Sequence, residues 1–459
     1  MLGNLLRPDI EKMIRDKDWK HLRQEFAQLD PSDLGEILEE FPLQDAALVF
    51  RILPRDAAAV IFEYLSLEMQ TKLVQSLADE QLVSVVNGMA PDDRTRLLEE
   101  LPPEVTRRVL ASLTPGELKI ARQLLGYPED SAGRHMTPEY VAVRPDMTAQ
   151  EALVYIRKHG KGAETLNVIY VTDEKGRLLS DLRLAALVMA DPNAKIEDLG
   201  DGQLFNIPAT ADREEFVAAF EKYDRVALPV TDSKGIMLGI ITIDDVLDVA
   251  EEEATEDIQK LGGMQALEAP YMDSPFLDMV RKRAGWLLVL FFGEMFTATA
   301  MAYFEGEIKR AVVLALFIPL IISSGGNSGS QATSLIIRSL AVRELELSDW
   351  RRVLRREVVS GLALGSILGV VGLLRIVLWP SRTTVYGPHF FAVGLVVAIS
   401  LVGVVLFGTV LGSMLPFLLR RLGLDPATAS APFVATLVDV SGLVIYFTAA
   451  SVILGGLLL

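Results

Sequence analysis

Residues 425–442 read DPATASAPFVATLVDVSG. A polar, proline-containing approach gives way at Ala431-Pro432 to an apolar run, and a single carboxylate, Asp439, stands about two turns inside it. Proline fits a first helical turn because its missing N–H has no partner there, and the run to Leu459 is long enough to cross a hydrocarbon core of ~30 Å. No Lys or Arg lies in that span, so an ionised Asp439 is costly in lipid unless water or a cation compensates. Asp439 therefore reads as a pore residue. Thr436, three positions earlier, shares its helix face, and Pro432, seven earlier, is placed to bend the helix.

Working outward, four more runs of spanning length lie at about 284–304, 311–337, 358–379 and 390–419, which predicts a five-helix transmembrane domain over 284–459. The second is interrupted by PLIISSGGNSGSQ at 319–331. Its proline and glycines predict an unwound stretch lining a water-filled path, with Asn327 and Gln331 as polar members; the alternative is a tight helix contact through small residues. Glu294, in the first span, is a second intramembrane acid, read either as a site residue or as half of an ion pair, with Arg375 the candidate partner. Basic residues cluster before the first span, between the second and third, and after the fourth (Arg281 to Arg283, Arg338 to Arg356, Arg420 and Arg421). The expected topology is a cytoplasmic amino terminus in the inner membrane and Leu459 outside.

The 459 residues carry a net charge of −17, divided unevenly: residues 1–270 hold 29 Lys+Arg and 50 Asp+Glu, residues 271–459 hold 15 and 11. An acidic soluble half precedes a mildly basic membrane half. Such acidity repels nucleic acid and attracts cations. The opening MLGNLLRPDIEKM has no apolar run of signal-peptide length, which keeps the soluble half in the cytoplasm. The absence of cysteine removes thiolate metal sites and nucleophiles, and the four histidines are scattered. With no nucleophile–base pair and no phosphate-binding glycine loop, an enzyme is not expected.

Within the soluble half, Phe41-Pro42, Leu53-Pro54, Leu65-Ser66, Leu77-Ala78, Met89-Ala90, Leu101-Pro102 and Leu113-Thr114 recur every 12 residues. Each is an apolar residue followed by a breaker or cap, so residues 1–130 are expected to stack short helices into an α-helical superhelix. From Tyr127 the pattern changes to strand–helix–strand, given twice within 131–250, and both copies contain Asp-x-x-Gly turns at Asp173 and Asp232. The pair resembles tandem CBS domains, an α/β fold. In that family Gly-x-x-Thr-x-x-Asp places a hydroxyl and a carboxylate on an adenosine ribose, which makes Thr242 and Asp245 candidates for ATP or AMP.

Residues 251–283 are expected to form an acidic connecting helix. From Asp244 onward, Asp245, Asp248, Glu251, Glu252, Glu253, Glu256 and Asp257 are spaced to repel along one helix, with Lys260 the only cation in the stretch. A hard divalent cation such as Mg²⁺, taken directly or through its water, reverses that repulsion.

Over essentially its whole length the chain resembles the MgtE-type magnesium channels: the 12-residue repeats, the join YPEDSAGRHMT at 127–137, the CBS pair, the acidic helix, the GGNSG segment and the motif from Asp425 to Asp439 stand in the family order. The resemblance implies a homodimer in the lipid bilayer whose pore lies between subunits, with Asp439 of each chain holding hydrated Mg²⁺. It implies pore-lining roles for Gly325, Gly326 and Asn327, while Ser330 stands where some members have a second Asn. It further implies that cytoplasmic Mg²⁺ closes the channel through Asp245, Asp248, Glu253, Glu256 and Asp257, with Asp425 at the pore mouth and with Asp92, Asp93 and Asp191. The rival readings are a broader divalent-cation channel, a coupled carrier, and a membrane-tethered nucleotide sensor.

Overall fold

The computed structural model describes residues 10–455 except 11, 17, 27, 201–203, 268–270 and 273; the expected outer end, Leu459, and residues 1–9 of the opening segment lie outside the described residues. Two compact units divide at Ala250.

The first unit opens with α1 (Trp19–Phe26), followed by α2 (Pro31–Glu39), α3 (Leu43–Ile52), α4 (Arg55–Glu63), α5 (Leu67–Ser76), α6 (Asp79–Gly88), α7 (Pro91–Glu100), α8 (Pro103–Ser112) and α9 (Pro115–Leu124). From α2 on, the starts fall 12 residues apart. The second member of every repeated pair, from Pro42 to Thr114, is the N-cap of its helix, and Pro31, Pro91, Pro103 and Pro115 sit in first turns. Each helix packs on the second one along, not on its sequence neighbour. Side chains from last turns pin this order: Glu39 accepts from the Ser66 N–H, Glu63 from the Ala90 N–H at 2.8 Å, and Asn87 from the Thr114 N–H at 2.8 Å. Each satisfies an otherwise orphaned group at the start of the helix two repeats on. Phe50 and Phe62, edge to face at 6.0 Å, belong to the continuous core that results.

After the short α10 (Ala132–His135) come two matching α/β motifs. The first has β1 (Ala142–Val143), α11 (Ala149–His159), β2 (Val168–Thr172), β3 (Leu178–Arg183), α12 (Leu184–Met189) and α13 (Ile196–Leu199); the second has β4 (Ile207–Pro208), α14 (Arg213–Tyr223), β5 (Ala227–Thr231), β6 (Met237–Thr242) and α15 (Ile243–Leu261). In each sheet the middle strand pairs parallel to the first and antiparallel to the third. Asp173 and Asp232 close the expected turns on their own backbones, ahead of Gly176 and Gly235, both at φ +76°. The turns also join the motifs, because Leu178 donates to the Gly235 carbonyl and Met237 to that of Gly176, each at 3.0 Å.

The second unit holds α16 (Phe276–Tyr303), α17 (Glu305–Arg310), α18 (Ile318–Ala341), α19 (Trp350–Val377), α20 (Arg382–Tyr386), α21 (Phe390–Arg421) and α22 (Ala431–Leu454). Five stretches, 276–303, 312–341, 347–377, 390–421 and 431–454, are helical and apolar enough to cross a membrane. The expected break at 319–331 is corrected: α18 runs unbroken through it, and the irregularity precedes it as 3₁₀ turns over Val312–Phe317. Glycine costs about 1 kcal/mol in a helix interior, and packing offsets that cost here. A Cβ on Gly329 would meet Val434 at 2.8 Å, and one on Gly408 would meet the Gly325 carbonyl oxygen at 2.5 Å. Gly325 and Gly329 therefore lie against Gly408 and its neighbour Gly412, and Thr333 Oγ1 bridges the carbonyls of Gly329 and Gly412 at 2.9 Å each. The small residues make a tight seam between α18 and α21.

Candidate functional site

Asp439 lies on the third turn of α22, half-buried among α16, α18 and α22. Glu294 of α16 comes within hydrogen-bond reach of it, so two intramembrane carboxyl groups meet. Gly326 leaves room on the α18 side, where a Cβ would stand 3.8 Å from Asp439 Oδ1. Asn327, one position on, is exposed and donates to Ser323 Oγ at 3.3 Å, whereas Gly325 is buried in the seam. Thr436 is buried against Gly293 and gives its hydroxyl hydrogen to the Pro432 carbonyl at 3.0 Å. Arg375, offered above as a partner for Glu294, is engaged elsewhere: its guanidinium stacks 3.6 Å from the Trp379 ring centroid and donates to Tyr386 at 3.4 Å. Glu294 thus faces another acid in place of the expected arginine.

A second concentration of carboxylates lies in the first unit, where the first turn of α7 (Asp92, Asp93) meets the first turn of α15 (Asp244, Asp245) beside Glu63 and Glu164. Burial pushes Asp93 up to about 7, with Glu63 adding to the effect and Arg96 opposing it. Burial likewise raises Asp245 to about 7, against a 2.8 Å hydrogen bond from Thr242 Oγ1, with Asp244 adding to the rise. Asp92 is raised well above the carboxylate range by burial and then by Asp245, and its Oδ1 is buried without a hydrogen-bond partner. Such an orphaned oxygen is expensive without a cation. Asp248 pairs with Arg96 at 3.2 Å, both half exposed, a contact of small energetic weight.

The remaining candidates divide. Glu256 and Asp425 meet through Lys260, whose Nζ lies 2.7 Å from Asp425 Oδ2. Asp191 closes a local turn, accepting from the Asn193 N–H at 2.8 Å. Glu253 and Asp257 lie on the outer part of α15, each with a partner of its own. Sequence reasoning missed Glu63 and Glu164; Glu63 was accessible through the 12-residue period, which puts its last-turn side chain beside the start of α7. Among the described residues no three His, Asp or Glu side chains are arranged to hold one ion directly. Spaced carboxylates instead suit a cation that keeps its water, as Mg²⁺ does.

A profile of the MgtE divalent cation transporter family matches residues 318–449, one of the MgtE intracellular N domain matches 29–130, and CBS-domain profiles match 132–191 and 187–252. The magnesium transporter MgtE of Thermus thermophilus is 43% identical over 331 residues, 72% of each chain, and that of Enterococcus faecalis is 32% identical over 336 residues, 73% of this chain and 71% of the other. The crystal structure of the cytosolic domain of the Mg²⁺ channel MgtE in complex with ATP aligns at 34% identity and a TM-score of 0.50, covering 52% of this chain and 98% of that one. Carrying the helical-repeat domain, the CBS pair and five membrane-spanning helices in this order, the chain belongs to the MgtE family of magnesium transporters.

Proposed function

We propose that the chain is a channel for passive Mg²⁺ entry, closed when cytoplasmic Mg²⁺ binds the acids of its soluble half. The observation that carries the pore assignment is the meeting of Glu294 and Asp439 inside apolar helices, where a hydrated divalent cation compensates both carboxylates. Transition metals prefer imidazole and thiolate, which this site lacks. Pairing two copies doubles the carboxylates around one path, and α16, with no buried residue along its 28 positions, offers a long apolar face to a second copy or to lipid. The amino terminus is assigned to the cytoplasm and the carboxyl terminus to the outside, in keeping with the distribution of arginines.

Nucleotide binding by the CBS pair is supported by the relative solved with ATP. Asp245 itself, held by Thr242 and ringed by acids, suits a cation better than a polyphosphate. Flux into liposomes from purified protein, with Mg²⁺, Ca²⁺, Mn²⁺ and Co²⁺ compared side by side, tests the reading. Mg²⁺ moving down its own gradient supports the channel. Equal rates for all four ions would make it a broad divalent channel, and a requirement for a proton or sodium gradient would make it a carrier.

The sensing acids give a pH signature. Asp93 and Asp245 have folded values near 7 against an ordinary value of 3.8, so their contribution to stability is lost as pH rises through about 7. The cation-free soluble half is expected to melt lower at pH 8 than at pH 5, and Mg²⁺ to restore it. Protons and Mg²⁺ compete for the same oxygens. The Mg²⁺ midpoint for protection from protease should therefore rise about tenfold between pH 8 and pH 6 if binding displaces one proton. An unchanged midpoint would remove these two acids from the site.

A further inference from the structure

The end of the connecting helix is held by a cation that belongs to the chain. Lys260, on the last turn of α15, bonds Glu256 one turn earlier and reaches Asp425 Oδ2 at 2.7 Å. Asp425 is itself fixed: its Oδ1 accepts from the Ala427 N–H at 2.8 Å, capping the turn Pro426–Thr428 that leads into α22 and so to Asp439. Apolar contacts surround the ammonium bridge, with Leu261 packed against a cluster of Ile337, Ala427 and Ala429. Gly263, at φ +75°, lies so close to Trp286 that a Cβ would stand 2.9 Å from its ring, and Trp286 Nε1 donates to Ser430 Oγ at 3.1 Å. Burial alone would lower the Lys260 ammonium, but hydrogen bonds to Asp425 and Glu256 outweigh it and hold the group above its ordinary value.

We propose that Lys260 is a positioning residue, a tethered cation that clasps the connecting helix to the loop before α22 without Mg²⁺ and competes with Mg²⁺ for Glu256 and Asp425. The competition rests on the cation-sensing reading above; the clasp does not. An ammonium neutralises one of the two negative charges and is held at high effective concentration by its own helix. Its removal leaves two facing carboxylates that repel each other and bind a divalent cation more tightly. The lysine therefore makes closure partly independent of Mg²⁺ and moves the Mg²⁺ response to higher concentration.

Because the chain has no cysteine, the full-length protein accepts a reporter pair, Leu261→Cys with Ala427→Cys, at positions whose native side chains share one apolar cluster. Bridging of this pair by a short thiol reagent in membranes reads the clasp directly. Without Mg²⁺, Lys260→Gln is expected to lower the yield about fivefold, while Lys260→Arg keeps it. Added Mg²⁺ should restore the Lys260→Gln yield at lower concentration than it acts on the parent. Equal yields without Mg²⁺ in the parent and Lys260→Gln would overturn the clasp. A yield that falls in Lys260→Gln but never responds to Mg²⁺ would overturn the competition together with the sensing reading, while the clasp stands.

Discussion

Asp439→Asn is expected to cut Mg²⁺ flux about 100-fold or more while leaving assembly and melting temperature nearly unchanged. A unit charge about 5 Å from the ion, at an effective dielectric constant of about 20, contributes roughly 3 kcal/mol, and that converts to about two orders of magnitude. The fold does not depend on the charge, because the neighbour within hydrogen-bond reach is another acid, Glu294, and asparagine relieves that repulsion. Asp439→Glu keeps the charge and moves it by a methylene, so its signature is an altered ratio of Mg²⁺ to Ca²⁺ and Co²⁺ flux. Wild-type rate and selectivity in Asp439→Ala, measured in the same liposomes, would remove the carboxylate from the ion path. Glu294→Gln belongs beside it as a graded control, since Glu294 is the more exposed of the two.

Why Asp439 was legible and Glu294's role was not follows from the kind of information each needs. A lone acid in an apolar run is visible one residue at a time. The meeting of Glu294 with Asp439 depends on how α16 and α22 are rotated against each other, and hydropathy does not encode that rotation. The same limit hid the bond from Lys260 to Asp425, 165 positions apart. Local periodicity did better: α11 begins and ends where the pattern placed it, at Ala149 and His159, because Thr148 and Glu151 form a reciprocal cap at its start. The 12-residue period located the helices of the first unit but not their stacking on every second neighbour. That order is set by Glu39, Glu63 and Asn87 reaching forward 27 residues, and the recurrence of an acceptor every 24 residues was the available clue. The misread segment was 319–331. Read alone, glycine and serine signify a break; read with Gly408 and Gly412, which repeat the spacing of Gly325 and Gly329, they signify a contact between two helices.

The sign of regulation follows from the acids that meet at α7 and α15. Asp92, Asp93, Asp244, Asp245, Glu63 and Glu164 lie close enough to disfavour one another's ionisation, and burial adds to that effect. Their approach is unfavourable when empty and favourable with a divalent cation between them, so Mg²⁺ stabilises the arrangement in which the two helix starts are together. A ligand shifts such an equilibrium only by its preference for one state, and reversing a 99:1 population takes about a 10⁴-fold preference, which favours several weak sites over one. Millimolar Mg²⁺ on the cytoplasmic face should therefore close the channel, and Asp92→Asn with Asp245→Asn should raise the half-inhibiting concentration about tenfold. The same double variant should melt higher than the parent without Mg²⁺, because it removes a buried carboxylate oxygen that has no hydrogen-bond partner. Loss of the Mg²⁺ response together with a gain in cation-free stability separates a binding role from simple damage, which lowers both. Patch recordings with Mg²⁺ varied on the cytoplasmic side decide the matter: opening on addition of Mg²⁺, or an unmoved half-inhibiting concentration in the double variant, would show that these acids do not sense the ion that closes the pore.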